Sequence, residues 1–308
     1  MKFGVTIPGL FLYPVIAQPW EAALSGEEIL RIARRAEELG FDWISVPDHI
    51  IMPNEEVEVM GPRWAEAFTS IAVIAGATKS IRVTNNILIL PYRDPILLAK
   101  MVSTLDFLSG GRLIVSVAVG HTQREFEILG VPYDKRGAIT DEYLRAMKEL
   151  WTSDNPTFSG EHVQFHDVTF EPKPVQKPHP PIWIGGNARP VIRRAAALAD
   201  GWAPWLMTPE RLREGLDYLH EQPAFQNRTT PFEIVTDTLE MQVDEETHEQ
   251  TGETTILTGK DEIIDRIGRY QDAGMTGTGA VIPPVDSLEQ YLERMQWFRE
   301  EVVTVFKG

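Results

Sequence analysis

The sequence predicts an α/β fold, and within that class a (β/α)8 barrel, also called a TIM barrel. Apolar runs of strand length alternate with helical patterns along the chain, as parallel βα units require. Eight such runs and eight helical patterns favour a closed barrel over an open doubly wound sheet. Residues 113–119 show no alternation of apolar and polar residues, which predicts a strand buried on both faces.

Each predicted element rests on a local signal. The predicted strands are residues 3–7, 42–46, 82–90, 113–119, 181–184, 201–205, 232–241 and 278–282. The first helix begins after Ser25, where Glu28 completes a capping box, and it ends at Gly40. Another helix begins at Asp94 and the following Pro, which is tolerated at the first helical position, and ends at Gly110. Further helices are predicted over 64–78, 139–151, 189–199, 209–221, 260–273 and 286–303.

Two segments interrupt this alternation. Residues 153–181 hold six prolines and too little helical pattern for a βα unit, which indicates an insertion before the fifth strand. The connection over residues 50–62 is long and acidic, and either segment is a candidate lid over the barrel mouth. No internal repeat is visible, so residues 1–308 are predicted to form a single domain.

The composition excludes several classes of protein. The 29 basic and 45 acidic side chains give a net charge of −16, and such a surface repels phosphate backbones and anionic lipids. Nucleic-acid and membrane binding are therefore not expected. The chain has no Cys for disulfides or thiolate metal sites, and its apolar stretches are shorter than the ~20 residues that cross a bilayer. No apolar signal segment precedes the first strand, so a cytoplasmic protein is expected.

The ends of the predicted strands hold the candidates for catalysis, because a (β/α)8 barrel carries its reactive residues there. Asp48 and His49 follow the second strand. Imidazole titrates near neutrality and can donate a proton to a reacting ring nitrogen, while a neighbouring carboxylate fixes its tautomer or raises its pKa. The alternative is an N-cap Asp beside a locally packed His. His121, after the fourth strand, is a second polar group that could meet the same substrate.

Two further motifs indicate a cofactor site. Residues 185–189 (GGNAR) lie between a strand and a helix, where glycines let backbone amides approach a phosphate and Arg189 adds positive charge. The alternative is a tight turn followed by exposed arginines. Asn85 and Asn86 lie inside an apolar strand and need polar partners, which either a flat heterocycle or a structural network would supply.

Aromatic and histidine pairs give weaker indications. Trp202 and Trp205 could form the wall of an apolar pocket, or they could simply pack beside the barrel rim. His162 and His166 share one face of a strand or helix and could hold an ion, but they lie in the insertion, away from any strand end. No metal site is therefore predicted.

Six segments resemble, in order and spacing, the luciferase-like monooxygenase superfamily. They are AEELGFD at 36–42, VPDH at 46–49, LPYRDP at 90–95, LDFLSGGR at 105–112, EFEILGVP at 125–132 and PKPVQKPHPPIWIGG at 172–186. The subgroup they resemble is the oxidoreductases that use the deazaflavin coenzyme F420, rather than the flavin mononucleotide (FMN) branch. The resemblance implies a barrel with an insertion before strand five, commonly a homodimer, with the cofactor ring at the barrel mouth.

The resemblance also implies roles for individual residues. Asp48 and His49 match the pair that contacts the cofactor ring, with His49 as the catalytic proton donor or acceptor. Asn85 and Asn86 match the position where a non-proline cis peptide lies behind the ring. The resemblance places Gly120, Gly185, Gly186, Ala188 and Arg189 at positions that bind the cofactor tail. His121 is also a candidate for cofactor binding, from its place at the end of the fourth strand.

These observations lead to one specific hypothesis and two alternatives. The leading hypothesis is an F420-dependent oxidoreductase that transfers a hydride between the deazaflavin and a small organic substrate. His121 stands where the family's sugar-phosphate dehydrogenase has a catalytic glutamate, and Leu88 replaces a hydroxyl residue that contacts the cofactor, so the substrate is not carried over. One alternative is a two-component monooxygenase that uses FMN reduced by a separate reductase. The other is a non-catalytic flavin- or deazaflavin-binding protein in which His49 is structural.

Overall fold

The computed structural model describes residues 1–236 and 256–306, and it confirms the predicted barrel. Eight parallel strand positions close into a ring, because the third strand pairs with both the second and the fourth. The strands of the ring are β1 (Lys2–Thr6), β2 (Trp43–Val46), β3 (Arg82–Asn85) with its continuation β4 (Leu88–Ile89), β5 (Leu113–Ala118), β8 (Ile182–Gly185), β9 (Gly201–Ala203), β10 (Glu233–Thr236) and β11 (Gly277–Gly279). β1 pairs with β2 on one side and β11 on the other.

Helices surround the ring and connect its strands. They are α1 (Gly26–Glu38), α2 (Val57–Met60), α3 (Ala67–Ala77), α4 (Pro95–Ser109), α5 (Gln123–Leu129), α6 (Arg136–Thr152), α7 (Arg189–Leu198), α8 (Pro209–His220), α9 (Pro223–Gln226), α10 (Lys260–Asp272) and α11 (Leu288–Phe298). The predicted caps are present: Ser25 and Glu28 form the capping box of α1, and Gly110 ends α4 in the left-handed conformation. Within the described residues, no helix is long and apolar enough to cross a membrane.

The structure differs from the predicted elements in several places, and the short helices α2, α5 and α9 have no predicted counterpart. The strand predicted over 82–90 is interrupted after β3, and the Asn86–Ile87 peptide bond is cis. The strand predicted over 232–241 is observed as β10, while residues 237–241 lie outside the described residues. The insertion over 153–181 contains a two-stranded antiparallel hairpin of β6 (Phe158–Ser159) and β7 (Gln164–Phe165), which has no counterpart in the predicted elements.

The barrel interior is filled by side chains, so the ring is not a pore. Trp43, Ile114, Trp183 and Val235, from four different strands, form one buried cluster, and the rings of Trp43 and Trp183 meet edge to face at 5.5 Å. Such a layer closes the interior beneath the carboxyl ends of the strands. A ligand site is therefore confined to the mouth above it.

Two loops meet at this mouth. The loop after β1 and the loop after β2 form an antiparallel bridge between Phe11 and Trp64. The N–H of Leu12 donates to the carbonyl of Arg63 at 3.0 Å beside this bridge. The acidic connection over residues 50–62 thus ends against the loop that follows β1.

Candidate active site

A cavity of about 480 Å³ lies among the carboxyl ends of the strands. Apolar and aromatic side chains form most of its wall, as in small-molecule sites generally. The sequence-predicted residues that line it are Asp48, His49, Asn86, Gly120, His121, Gly185, Gly186 and Ala188. The fold therefore brings together eight candidates that are up to 140 residues apart in the chain.

His49 is held by a buried carboxylate. Its Nδ1 lies 2.7 Å from Oε2 of Glu125, a residue of α5 that is fully buried, and His49 itself is only 6% exposed. The same oxygen, Oε2 of Glu125, also accepts a hydrogen bond from the hydroxyl of Tyr92 at 2.8 Å. Its Oε1 accepts the N–H groups of Ile50 at 2.7 Å and Ile51 at 3.1 Å. Four donors thus fix this carboxylate beside the imidazole.

The electrostatics of this pair define the imidazole tautomer. Burial raises the pKa of the Glu125 carboxyl, but the hydrogen bonds from His49, Ile50 and Tyr92 outweigh burial and hold that pKa below its ordinary value. Burial and the negative charge of Glu125 together raise the pKa of Tyr92, so its hydroxyl remains a donor. Because ionised Glu125 only accepts, Nδ1 of His49 carries the hydrogen and Nε2 is left for proton exchange.

Asp48 is engaged elsewhere, so the expectation that the neighbouring carboxylate orients His49 is wrong. The two oxygens of Asp48 bind the guanidinium of Arg93 in bidentate fashion, each at 2.8 Å, and Oδ2 also accepts the N–H of Ile89 at 3.0 Å. Arg93 donates in addition to Glu66 at 2.6 Å. Asp48 lines the cavity, but its strong bonds tie the ends of β2 and β4 together.

Aromatic rings extend the wall on both sides of His49. The ring of Trp64 lies 4.5 Å from that of His49, centroid to centroid, and the ring of His121 lies 6.1 Å from it on another side. Burial lowers the pKa of His121, and the nearby His49 lowers it further. His121 is therefore a neutral ring at pH 7, able both to donate and to accept a hydrogen bond.

The two asparagines separate in the structure. Asn86 lines the cavity, and the cis bond that follows it is the one at which β3 gives way to β4. Asn85 is 2% exposed and does not line the cavity, and its Nδ2 has no hydrogen-bond partner among the described residues. The sequence predicted both amides at the cofactor site, whereas the structure places Asn86 in the cavity wall and Asn85 behind it.

Glycines allow the close approach of neighbouring segments at this rim. Gly120 has φ of +81°, and a Cβ on it would lie 2.7 Å from side-chain atoms of both Ile89 and Phe126. A Cβ on Gly185 would lie 2.1 Å from Cδ1 of Ile87. Position 120 therefore requires glycine for the shape of the rim, whereas a side chain in place of Gly185 would displace the terminal carbon of Ile87.

The glycine-rich turn leads into the N-terminus of α7, as predicted. The N-cap residue Ala188 offers no side-chain acceptor to the first helical N–H groups. Arg189 does not line the cavity; its guanidinium lies 5.0 Å above the ring of Tyr218, whose hydroxyl accepts a hydrogen bond from Arg193 at 3.0 Å. Arg194 is buried and bound to Asp141, so it belongs to the helix packing and not to this cluster.

The structure also locates the two remaining pairs of candidates, the tryptophans and the histidines. Trp205 lines the cavity, whereas Trp202 is fully buried and donates from Nε1 to the carbonyl of Gly186 at 2.8 Å. His162 and His166 lie in the insertion, and no group of three or more His, Asp or Glu side chains in residues 1–236 and 256–306 is arranged to hold a metal ion.

Sequence reasoning missed several residues of the site. Glu125 was the most important of these, and the signal that could have revealed it is a carboxylate beside Phe126 on the buried face of a short helix. Trp64 and Glu21 line the cavity: Trp64 lies before α3 instead of in the helix predicted from residue 64, and Glu21 lies in a short 3-10 turn that was not predicted. The position of Trp64 beside His49 depends on how the loops after β1 and β2 pair.

Comparison with protein families gives a match over most of the chain. The model of the luciferase-like monooxygenase family matches residues 1–271. The FMNH2-dependent dimethylsulfone monooxygenase of Pseudomonas putida is 36% identical over 154 residues, which cover 49% of this chain. That match spans 41% of the relative's own length.

Two solved structures share the fold. The monooxygenase RslO1 from Streptomyces bottropensis superposes with a TM-score of 0.80 at 21% identity, covering 99% of this chain and 100% of that one. An F420-dependent secondary alcohol dehydrogenase, solved with an F420–acetone adduct, superposes with a TM-score of 0.75 at 19% identity, covering 99% and 98%. At these identities the similarity establishes the architecture alone.

Proposed function

The chain belongs to the luciferase-like monooxygenase family, and on that basis we propose that it is an F420-dependent oxidoreductase. It transfers a hydride between a deazaflavin bound at the barrel mouth and a small organic substrate. The observation that carries the proposal is His49 in the wall of an apolar cavity, held there by the buried carboxylate of Glu125. Such a pair suits a proton step beside a bound ring.

The cavity has the features that a flat heterocycle needs. Its volume of about 480 Å³ falls in the range of small-molecule sites, and its walls are mainly apolar. Asn86 and His121 add a few polar groups that can fix the orientation of a ring with carbonyl and N–H groups. These features support cofactor-binding roles for the residues that line the cavity.

The residues of the chain supply the proton chemistry. When bound, a deazaflavin supplies the ring carbon that accepts or releases the hydride. Glu125 holds Nδ1–H of His49, so Nε2 can give a proton to the substrate or take one from it. Trp64 and the paired loops at the mouth shield this exchange from water.

The positive charges beside α7 favour F420 over FMN. Arg189 and Arg193 are exposed and meet at Tyr218, and neither forms an ion pair with a carboxylate in the described part of the chain. Together with the uncapped N-terminus of α7, the two arginines form a positively charged surface that can bind several anionic groups, although the chain as a whole has a net charge of −16. F420 has a longer anionic tail than FMN, which ends in one phosphate.

FMN is the second candidate cofactor. It is favoured by one observation, the 36% identity to an FMNH2-dependent dimethylsulfone monooxygenase over about half of this chain. In that case reduced FMN would come from a separate reductase, and the same cavity would hold the flavin ring. The fold and the His49–Glu125 pair are compatible with both cofactors. A measurement of binding affinity for each cofactor is therefore needed to distinguish them.

Anaerobic titration with F420 and with FMN, followed by quenching of tryptophan fluorescence, tests the cofactor assignment. We expect F420 to bind at least about tenfold more tightly than FMN. Arg189→Ala should weaken F420 binding by about tenfold if it holds an anionic group. Arg145→Ala, which removes an exposed charge from α6, is the matched control and should change nothing. Tighter binding of FMN, or of neither cofactor, contradicts the assignment.

We also propose that the protein is a homodimer, with contact through the outer faces of α3 and α4. These faces carry exposed apolar residues, namely Val73, Ile96, Leu97, Phe107 and Leu108. Exposed apolar side chains on two neighbouring helices are typical of an interface between subunits. We propose separately that the protein is located in the cytoplasm.

A further inference from the structure

A second buried carboxylate lines the cavity and takes no part in the proposed proton exchange. Glu21, in the 3-10 turn Pro19–Ala23, is 7% exposed. Its Oε1 accepts the N–H of Gln18 at 3.0 Å, and its Oε2 accepts the N–H of Gly9 at 3.3 Å. Because each carboxylate oxygen has two acceptor positions, Glu21 can still accept a hydrogen bond from a ligand.

Glu21 forms no ion pair with a cationic side chain in residues 1–236 and 256–306. The guanidinium of Arg63 donates to the carbonyl oxygens of Gly9, at 3.4 Å, and Ala22, at 3.0 Å. Burial raises the pKa of Glu21, and the N–H groups of Gln18 and Gly9 offset only part of that rise. A cation bound beside Glu21 would therefore compensate the cost of its burial.

Aromatic rings surround this corner of the cavity. Trp20 and Tyr291 both line it, with ring centroids 5.5 Å apart. Tyr291 is close enough to Glu21 that the carboxylate charge adds to burial in raising the pKa of the phenol. Nε1 of Trp20 is buried without a hydrogen-bond partner among the described residues. Aromatic faces next to a carboxylate are the combination that attracts organic ammonium groups.

We propose that Glu21, Trp20 and Tyr291 bind a protonated amine, so the substrate is a small organic amine that is positively charged at neutral pH. Glu21 accepts the N–H of the ammonium group, and the two rings contact the carbons attached to it. The net charge of −16 favours the approach of such a cation. The inference rests on the proposed function only in taking this cavity as the substrate site, and it adds the class of the substrate.

Glu21 also has a structural task, which the test must separate from binding. Its carboxylate completes the capping box of the 3-10 turn through the N–H of Gln18. Gln can fill the same place in a capping box, so Glu21→Gln removes the charge and keeps this acceptor. Glu28 completes the corresponding box of α1 on the surface, which makes Glu28→Gln the matched control.

The test uses two probes of nearly equal shape, 2-phenylethylamine, which is charged at pH 7, and 2-phenylethanol, which is not. Isothermal titration without cofactor should show the amine binding at least about tenfold more tightly than the alcohol. Glu21→Gln should weaken amine binding about tenfold or more and alcohol binding less than about threefold. Glu28→Gln should leave both affinities unchanged. Equal affinities for the two probes, or unchanged amine binding in Glu21→Gln, overturn the proposal.

The outcomes for the amine site and for the cofactor are independent. The wild-type comparison of the two probes tests the amine site even if Glu21→Gln does not fold. Loss of amine selectivity with F420 binding intact would remove this inference alone. Amine selectivity in a chain that binds no F420 would remove the proposed function and leave the amine site standing.

Discussion

At the scale of single residues, the rate of the proposed reaction depends on His49. Replacing His49 by Gln removes the proton exchange at Nε2 while keeping a polar side chain in the wall. We expect turnover of reduced F420 with a panel of enones, quinones and imines to fall by about 100-fold or more, the scale of general acid–base catalysis. Stopped-flow absorbance measures the rate. An unchanged rate, or no turnover by the wild type, would favour a binding protein in which His49 is structural.

Glu125 acts through His49, and its removal should have a smaller effect. Glu125→Gln keeps the size of the side chain but removes the charge that fixes Nδ1–H, so we expect the rate to fall by about tenfold or more. The matched control is Glu127→Gln on the same helix, because Glu127 is exposed and bonded to Arg124. Equal rates in the two variants would show that Glu125 does not position the imidazole. The dissociation constant of F420 checks that the cavity is intact.

The sequence could predict the place of His49 in the site but not its partner. His49 was predicted from its place after a strand, which is a local property. Glu125 is 76 positions away and meets His49 because β2 and β5 lie on either side of β3. Asp48, the adjacent carboxylate, turns to Arg93 instead. Side-chain pairing across a barrel depends on strand order and rotamer, which adjacency in sequence does not encode.

At the scale of elements, Glu37 of α1 fixes the loop that leads into β3. One of its oxygens accepts the N–H groups of Lys79 at 2.8 Å, Ser80 at 2.6 Å and Ile81 at 3.0 Å. Replacing Glu37 by Gln should lower the free energy of unfolding at pH 7 by about 1–2 kcal/mol, because hydrogen bonds to a charged acceptor become neutral ones. Urea denaturation measures this loss. Glu38→Gln, one residue on and exposed, should change stability by less than about 0.5 kcal/mol.

The same carboxylate gives stability a defined dependence on pH. Burial alone would raise the pKa of Glu37, but the backbone donors of Ile81, Ser80 and Lys79 lower it from 4.5 to about 2. Between these values the folded chain binds fewer protons at this site than the unfolded chain does. The contribution of Glu37 is therefore complete above pH 4.5 and is lost as the pH falls towards 2. The stability difference between wild type and Glu37→Gln should shrink accordingly, and a constant difference would contradict it.

The boundaries of helices and strands could be predicted where the periodic pattern of apolar residues extends over enough residues. The capped helices α1 and α4 and the apolar strand β5 were predicted to within about two residues, because each is defined by its own sequence. α5 has seven residues, too few for a helical pattern, and the hairpin of β6 and β7 forms through pairing of Phe158 with Phe165 inside a proline-rich segment. Such short elements depend on tertiary contacts rather than on local signals.

At the scale of the whole molecule, closure of the barrel follows from counting βα units. Eight units and right-handed crossovers leave a closed ring as the arrangement that buries every strand. Closure also dictates that strand ends share one rim, which is why residues 48–49, 120–121 and 185–188 converge on one cavity. The contents of that rim could not be predicted in full, since the loops after β1 and β2 bring Glu21 and Trp64 to it through their mutual pairing.

The apolar surface of α3 and α4 leads to a prediction about assembly. Leu97 is 59% and Leu108 is 74% exposed on α4, and exposing this patch to water is unfavourable unless a second copy covers it. Light scattering after size exclusion should therefore give twice the chain mass of 34.8 kDa for the wild type. Replacing both leucines by Arg should give the monomer mass, because burying two unpaired charges from each subunit in the interface opposes association. Val305→Arg, at an exposed apolar site on the last helical turn, should remain dimeric. A wild-type monomer at micromolar concentration would contradict the homodimer.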